Sequence, residues 1–281
     1  MEWMVYMDRK ALREIQLIQL EMAKEVKRIC ENNHIKYFLD AGTLIGAVRH
    51  EGFIPWDDDL DIGMLREEYE KFIVIAPSEL REIYVLQTWS DVGYALPFAK
   101  IRKKNTIYKE INSKDTVGDC GIFIDIFPFD MYPKQKRERL IQGMYMEFWK
   151  KVLLMKDGYT PWLGTDNFVK RDIKKLIYKF IHLITISIPK KEIIKQYKEV
   201  AMRYNEYKGL DTYNQASDGR YGNWLVSKEW LSDTCELSFE GELFLCPCEY
   251  HQYLTKIYGD YMRLPPENER EDRHGIIEVR Y

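Results

Sequence analysis

The chain has 281 residues, 46% of them apolar, which is enough to bury a substantial core in one large domain or two. Its 42 basic and 45 acidic residues leave a net charge of −3, which excludes a general nucleic-acid surface, since that requires a basic excess. Five cysteines (Cys30, Cys120, Cys235, Cys246 and Cys248) show no paired zinc spacing; with no signal-peptide-like start, the odd number suggests reduced thiols in the cytoplasm.

In chain order, Leu12, Ile15, Ile18, Met22, Val26 and Ile29 step by three or four, which predicts a helix capped by Asp8 and ended near Asn32-Asn33. Ile35-Lys36-Tyr37-Phe38-Leu39 reads as a short buried strand. It runs into Asp40-Ala41-Gly42-Thr43 and a short helix, an arrangement that brings backbone N–H groups and a helix N-terminus close to a phosphate. Gly-Thr is also an ordinary turn and cap, so its meaning depends on its neighbours.

Downstream lies Ile54-Pro55-Trp56-Asp57-Asp58-Asp59-Leu60-Asp61-Ile62-Gly63. In a strand Asp59 and Asp61 share one face while Leu60 and Ile62 turn to the core. Two adjacent anions repel unless a cation sits between them. A divalent metal, Mg²⁺ or Mn²⁺, resolves the conflict and leaves coordination sites for water and phosphate oxygens. An acidic turn on a solvated surface is the alternative; the apolar approach Phe53-Ile54-Pro55-Trp56 favours a strand.

Further along, the pattern predicts a helix over 66–75 and strands near 83–88, 96–103 and 121–127. Asp125 lies alone in the apolar run Ile122-Phe123-Ile124-Asp125-Ile126-Phe127, and a buried carboxylate needs a partner. It is either a third metal ligand beside Asp59 and Asp61 or a strand-end acceptor. Helices are expected over 134–156, over 167–187 and after Pro189, and Pro247 and Gly259 bracket a terminal helix. The expectation is one α+β domain over 1–281, with a catalytic core of about 9–130 and a helical C-terminal elaboration of about 131–281.

Lys100 and Arg102 alternate on one strand and reach phosphates from beside the Asp site; Arg49 and His50 do so from the end of the short helix. Solvated surface charge is the competing reading for all four, and His50 is also a candidate base. Leu176, Ile177, Phe180, Leu183 and Ile184 lie among Lys170, Arg171, Lys174, Lys175, Lys179, Lys190 and Lys191. That segment is too short to span a bilayer, and it reads either as a helix lying in the membrane interface or as one packed into the core.

Gly42-Thr43, Asp59-Leu60-Asp61 and Ile124-Asp125-Ile126 together resemble the site pattern of the nucleotidyltransferase superfamily, although 15 residues between Thr43 and Asp59 is a long separation. The fuller strings at 41–50, 54–63, 121–128 and 258–266 resemble the LicD family of phosphotransferases, over about residues 35–275. The resemblance implies a nucleotidyltransferase-like mixed sheet flanked by helices. It also implies transfer of phosphocholine, or a related polyol phosphate, from a CDP-linked donor to a sugar hydroxyl of a cell-surface glycan precursor, lipid-linked or free. Asp59, Asp61 and Asp125 would be the catalytic and metal-binding acids. Gly42, Thr43, Arg49, His50, Lys100 and Arg102 would hold the nucleotide and its phosphates, with Asp57 or Asp125 taking the hydroxyl proton. A choline head group would call for an aromatic face, and Trp56, Trp89, Tyr94, Tyr159, Trp162 and Trp224 are available. A cytoplasmic enzyme, at most peripheral to the membrane, is expected. The alternatives are a nucleotidyltransferase making an NDP-linked product and an inactive nucleotide-binding scaffold; three retained acids weigh against the scaffold.

Overall fold

The computed structural model describes residues 9–110, 120–162, 165, 167–216, 220–270 and 276–281; the expected Asp8 cap lies outside them. The first helix, α1 (Arg9–Asn32), buries Leu12, Ile15, Met22, Val26 and Ile29 as the periodicity requires, but also Gln16, Gln19 and Glu25. Strand β1 (Phe38–Leu39) leads into α2 (Ala41–His50), and β2 (Asp61–Leu65) into α3 (Arg66–Glu79). Strands β3 (Tyr84–Gln87), β4 (Ala99–Lys103), β5 (Ile107–Glu110) and β6 (Phe123–Met131) come next. Then come helices α4 (Lys136–Lys156), α5 (Phe168–Thr185) and α6 (Lys190–Ala201). The chain ends with β7 (Thr212–Gln215), β8 (Leu225–Ser227), the hairpin β9 (Thr234–Phe239) and β10 (Glu242–Pro247), α7 (Tyr250–Tyr258) and β11 (Ile276–Arg280).

The main sheet is mixed, with strand order β1-β2-β6-β4-β3 and with β7 and β8 attached along β6. Among the described residues only β2 and β6 run parallel, and their register sets Asp61 beside Asp125. Every residue of β6 is buried. A strand covered on both faces has no solvent side, so it reads as a continuous apolar run rather than an alternation. Helices α1, α2, α3 and α7 and the β9–β10 hairpin supply buried residues to one core around this sheet. A second apolar cluster, with Met146, Leu153, Tyr178, Ile193 and Tyr197, joins α4, α5 and α6.

Three expectations are corrected. Residues 54–60 form no strand: β2 begins at Asp61, after a turn closed by the Asp57 N–H donating to Ile54 O at 3.0 Å. The reason lies in α1, where Gln16 Nε2 donates to Asp57 O at 2.9 Å and Gln19 Nε2 to Asp58 O at 2.8 Å, so side chains take the carbonyls a ladder would use. Leu60 and Ile62 are buried nonetheless. The C-terminal part is helical only in part, since β7 and β8 extend the main sheet and β9, β10 and β11 form two further pairs. Pro247 closes β10 instead of opening α7, whereas Gly259, at φ 71°, does end that helix.

Candidate active site

The site forms where β1 passes into α2. Asp40, wholly buried, accepts from the Tyr253 hydroxyl on α7 and from Gln215 Nε2 on β7 at 2.5 Å. Burial raises its pKa, and the two donors oppose that shift. Ala41 then adopts φ 48°, a left-handed conformation costly for a residue with a Cβ. At Gly42 a Cβ would lie 2.7 Å from Asp57 Oδ2, so any side chain there would push the carboxylate aside. The Asp57 carboxylate thus sits against the first turn of α2, where backbone N–H groups and the helix dipole favour negative charge. Thr43 is buried and accepts from the Asp61 N–H at 2.8 Å, so it fixes the start of β2 to α2.

The acidic segment is held from behind by Gln16 and Gln19, the latter also donating to Phe123 O at 3.1 Å. Asp58 is buried and accepts from the Tyr108 hydroxyl. Among the described residues, the acids whose oxygens gather within 4.8 Å of one another are Asp57, Asp58 and Asp59. Asp59, Asp61 and Asp125 do not gather as closely, yet they share one electrostatic neighbourhood. The Asp61 carboxyl is raised well above its ordinary value, first by burial and then by Asp59, Asp125, Asp40 and Asp57. Asp125 is pushed up to about 6 by burial, against the attraction of Lys100. Lys100 Nζ lies 3.2 Å from Asp125 Oδ1, opposite it on β4, off the alignment of a hydrogen bond. This crowd of buried carboxylates fits a hard divalent cation, which takes oxygen ligands and removes the repulsion.

Beside the acids opens a cleft of about 940 Å³ lined by Gly42, Asp57, Asp59 and Asp61. Arg49, Arg263 and Arg270 line the same cleft, together with Trp56, Trp224 and Tyr258. Arg49 donates to Tyr261 O at 2.5 Å, which ties α2 to the segment after α7. Burial lowers its pKa, Asp57 opposes and Arg270 adds to the lowering. The Arg270 guanidinium lies 5.4 Å from the Trp56 ring centre. The Tyr258 phenol, on the same cleft, is raised by desolvation and by Asp61, Asp40, Asp57 and Asp59.

Of the residues singled out from the sequence, Gly42, Arg49, Asp59 and Asp61 therefore line the cleft, while Asp125 lies beside Asp61 on the neighbouring strand and Lys100 on the strand after that. Three others do not face it. Thr43 is turned to β2. Arg102 is locked to Gln87 Oε1 at 2.6 Å and Gly121 O at 2.8 Å. His50 accepts from Arg49 Nε at 3.0 Å, its pKa lowered by burial and then by Arg49. Sequence reading missed Asp40, Gln16, Gln19, Gln215, Tyr253, Tyr258, Arg263 and Arg270. The string Tyr258-Gly259-Asp260-Tyr261-Met262-Arg263 carried the resemblance without revealing that it closes the cleft.

Residues 34–191 match the family described as LicD/FKTN/FKRP, nucleotidyltransferase domain. The chain is 33% identical over 281 residues to the lipopolysaccharide cholinephosphotransferase LicD of Haemophilus influenzae, covering 95% of this chain and 97% of that protein. A stretch of 48 residues is 42% identical to the ribitol 5-phosphate transferase FKRP of Homo sapiens and of Mus musculus, covering 17% of this chain and 10% of theirs. The relatives named for moving phosphorylated groups support a transferase, with acids carried on adjacent strands of a mixed sheet. The chain belongs to the LicD family.

Proposed function

We propose that the protein transfers phosphocholine, or a related polyol phosphate, from a CDP-linked donor to a sugar hydroxyl of a glycan precursor, with Mg²⁺ or Mn²⁺ as cofactor. The observation that carries this reading is the likeness to the lipopolysaccharide cholinephosphotransferase along nearly the whole of both chains. The cleft supports it, because acids and arginines line one space of about 940 Å³. A divalent cation held by Asp59 and Asp61, with Asp125 behind them, would neutralise the donor diphosphate and the departing CMP. Arg49, Arg263 and Arg270, which line the same cleft, would clamp phosphate oxygens. The acceptor oxygen forms a bond to the distal phosphorus, the bond from that phosphorus to the bridging oxygen breaks, and CMP leaves with the electron pair. Asp57, on the cleft wall, is better placed than Asp125 to take the hydroxyl proton. The enzyme would work in the cytoplasm, on an acceptor that is lipid-linked or free.

The test is to supply CDP-choline, CDP-ribitol or CDP-glycerol with Mg²⁺ and a glycan acceptor and to identify the products. Release of CMP with a phosphorylated glycan is expected. Pyrophosphate release from CTP with a phospho-polyol would point instead to a nucleotidyltransferase, and donor binding without turnover to a scaffold.

A further inference from the structure

Helix α5 is amphipathic the wrong way round for a core element. At 3.6 residues per turn, Phe168, Ile173, Leu176, Phe180, Leu183 and Ile184 fall on one side, and each is between 54% and 68% exposed. The buried residues, Tyr178 and Thr185, fall on the opposite side. The reading of this segment as a core-packed helix holds only for its narrow underside, where Tyr178 and the half-buried Ile181 join the second apolar cluster, while the larger apolar face looks out. Isolated apolar residues on a surface need no explanation, but six large ones on one helical face form a patch of the kind that marks an interaction site. Helix α4, packed against α5, exposes Leu140 and Met144 as well.

The charge around the patch identifies the partner. Lys170, Arg171, Lys175 and Lys179 of α5 are exposed, against a lone acid in the helix, Asp172. Lys170 and Lys179 flank the two edges of the apolar face, where long stems lie along apolar surface while the ammonium groups stay at the polar boundary. Two further cations are already engaged: Lys174 donates to Pro161 O at 2.5 Å, and Lys190 pairs with Asp157 at 2.6 Å. Both bonds hold the α5 region to the body of the protein from below, leaving the outer face free to meet a planar surface. Among the described residues no helix is long and apolar enough to cross a membrane.

We infer that the outward face of α5 is a docking surface for a bilayer containing anionic lipid, with the apolar side chains entering the interface and the basic rim meeting the head groups. The inference does not rest on the proposed reaction and can be tested apart from it.

The experiment is flotation of the full chain with vesicles of phosphatidylcholine alone or mixed with phosphatidylglycerol, at low and high salt. Binding to the mixed vesicles, weakened by salt, is expected. The double variant Leu176→Glu, Phe180→Glu should bind roughly tenfold or more weakly. Replacing Lys170 and Lys179 by Gln should weaken binding about fivefold per residue at low salt. These side chains contact no core, so folding is preserved, and Phe180→Trp gives a second readout as a blue shift in emission when mixed vesicles are added. Failure to float with either vesicle at either salt would overturn the inference. So would a dimer in sedimentation that the Glu substitutions dissolve, which would assign the face to a second copy of the chain.

Discussion

Lys100 and Asp125 meet across the β4–β6 ladder, both nearly inaccessible, with the ammonium 3.1 Å from the centre of the Phe123 ring. Lysine here offsets only part of the negative charge, because Asp61 lies beside Asp125 in the parallel register and its own carboxyl is raised by burial and by Asp59, Asp125 and Asp40. Lys100→Met would remove the resident cation and leave buried acids uncompensated, which costs about 3 kcal/mol. Its melting temperature should fall below that of the wild type in EDTA and recover further than the wild type's when Mg²⁺ is added. Equal response of both proteins to Mg²⁺ would mean that no cation enters this neighbourhood. Asp125→Asn should lower turnover sharply and reduce the Mg²⁺ effect on melting; unchanged turnover would take Asp125 out of the site. At this scale the sequence displayed the acids plainly, because charge interrupting an apolar run is visible in one dimension. It hid Gln16 and Gln19, which read as the solvated edge of α1 while their amides serve carbonyls elsewhere; Gln19 reaches 39 positions to Asp58 and 104 to Phe123.

Elements aim these residues, and two connections matter most. The first is α1 against the acidic segment. Gln19→Met keeps the volume but leaves the Asp58 and Phe123 carbonyls without their donor, at about 1–3 kcal/mol for each buried group left unsatisfied. A lower melting temperature together with lower turnover is expected, whereas a stability loss with full turnover would show that the clamp does not aim the acids. The second is the β9–β10 turn, where Glu240 and Gly241 take φ 56° and 80°, the two left-handed residues of a tight hairpin. Glu240 accepts from Arg13 at 2.6 and 2.8 Å and from the Phe53 N–H at 3.1 Å, which pins the entry to the acidic segment. The Arg13 hydrogen bond holds its carboxyl below the ordinary value of 4.5. A depressed folded pKa gives stability that is present above the unfolded value and lost as pH falls through the folded one. Glu240→Gln should therefore be less stable than the wild type by about 1 kcal/mol near neutrality, given how exposed Arg13 is. That gap should close as pH drops below 4.5, and urea melts of both proteins across this range would check it. Long periodic helices such as α1, α4 and α5 are legible because their pattern repeats over many turns. Residues 54–60 look like strand in the sequence because no local pattern records that side chains from another element occupy their carbonyls.

Across the whole molecule, the cleft is assembled from both ends of the sequence. Acids come from the segment between α2 and β2, Gln215 from β7, and Arg263 and Arg270 from the segment after α7. The short strands β7 to β11 could not be read locally, since each is defined by a partner strand and β11 pairs with β5 from the other half of the chain. The arginines that line the cleft from the segment after α7 were hidden for the same reason. On the proposed reading these arginines would meet the donor phosphates that the acids repel, and a CDP donor would bind only when a divalent cation offsets the carboxylates. The most direct measurement is the melting temperature with CDP-choline, in Mg²⁺ and in EDTA, for the wild type and for Asp61→Asn. For the wild type, donor and Mg²⁺ together should raise it by more than the sum of their separate effects, and that excess should vanish in EDTA and in Asp61→Asn. An equal rise in EDTA would contradict a donor held through metal.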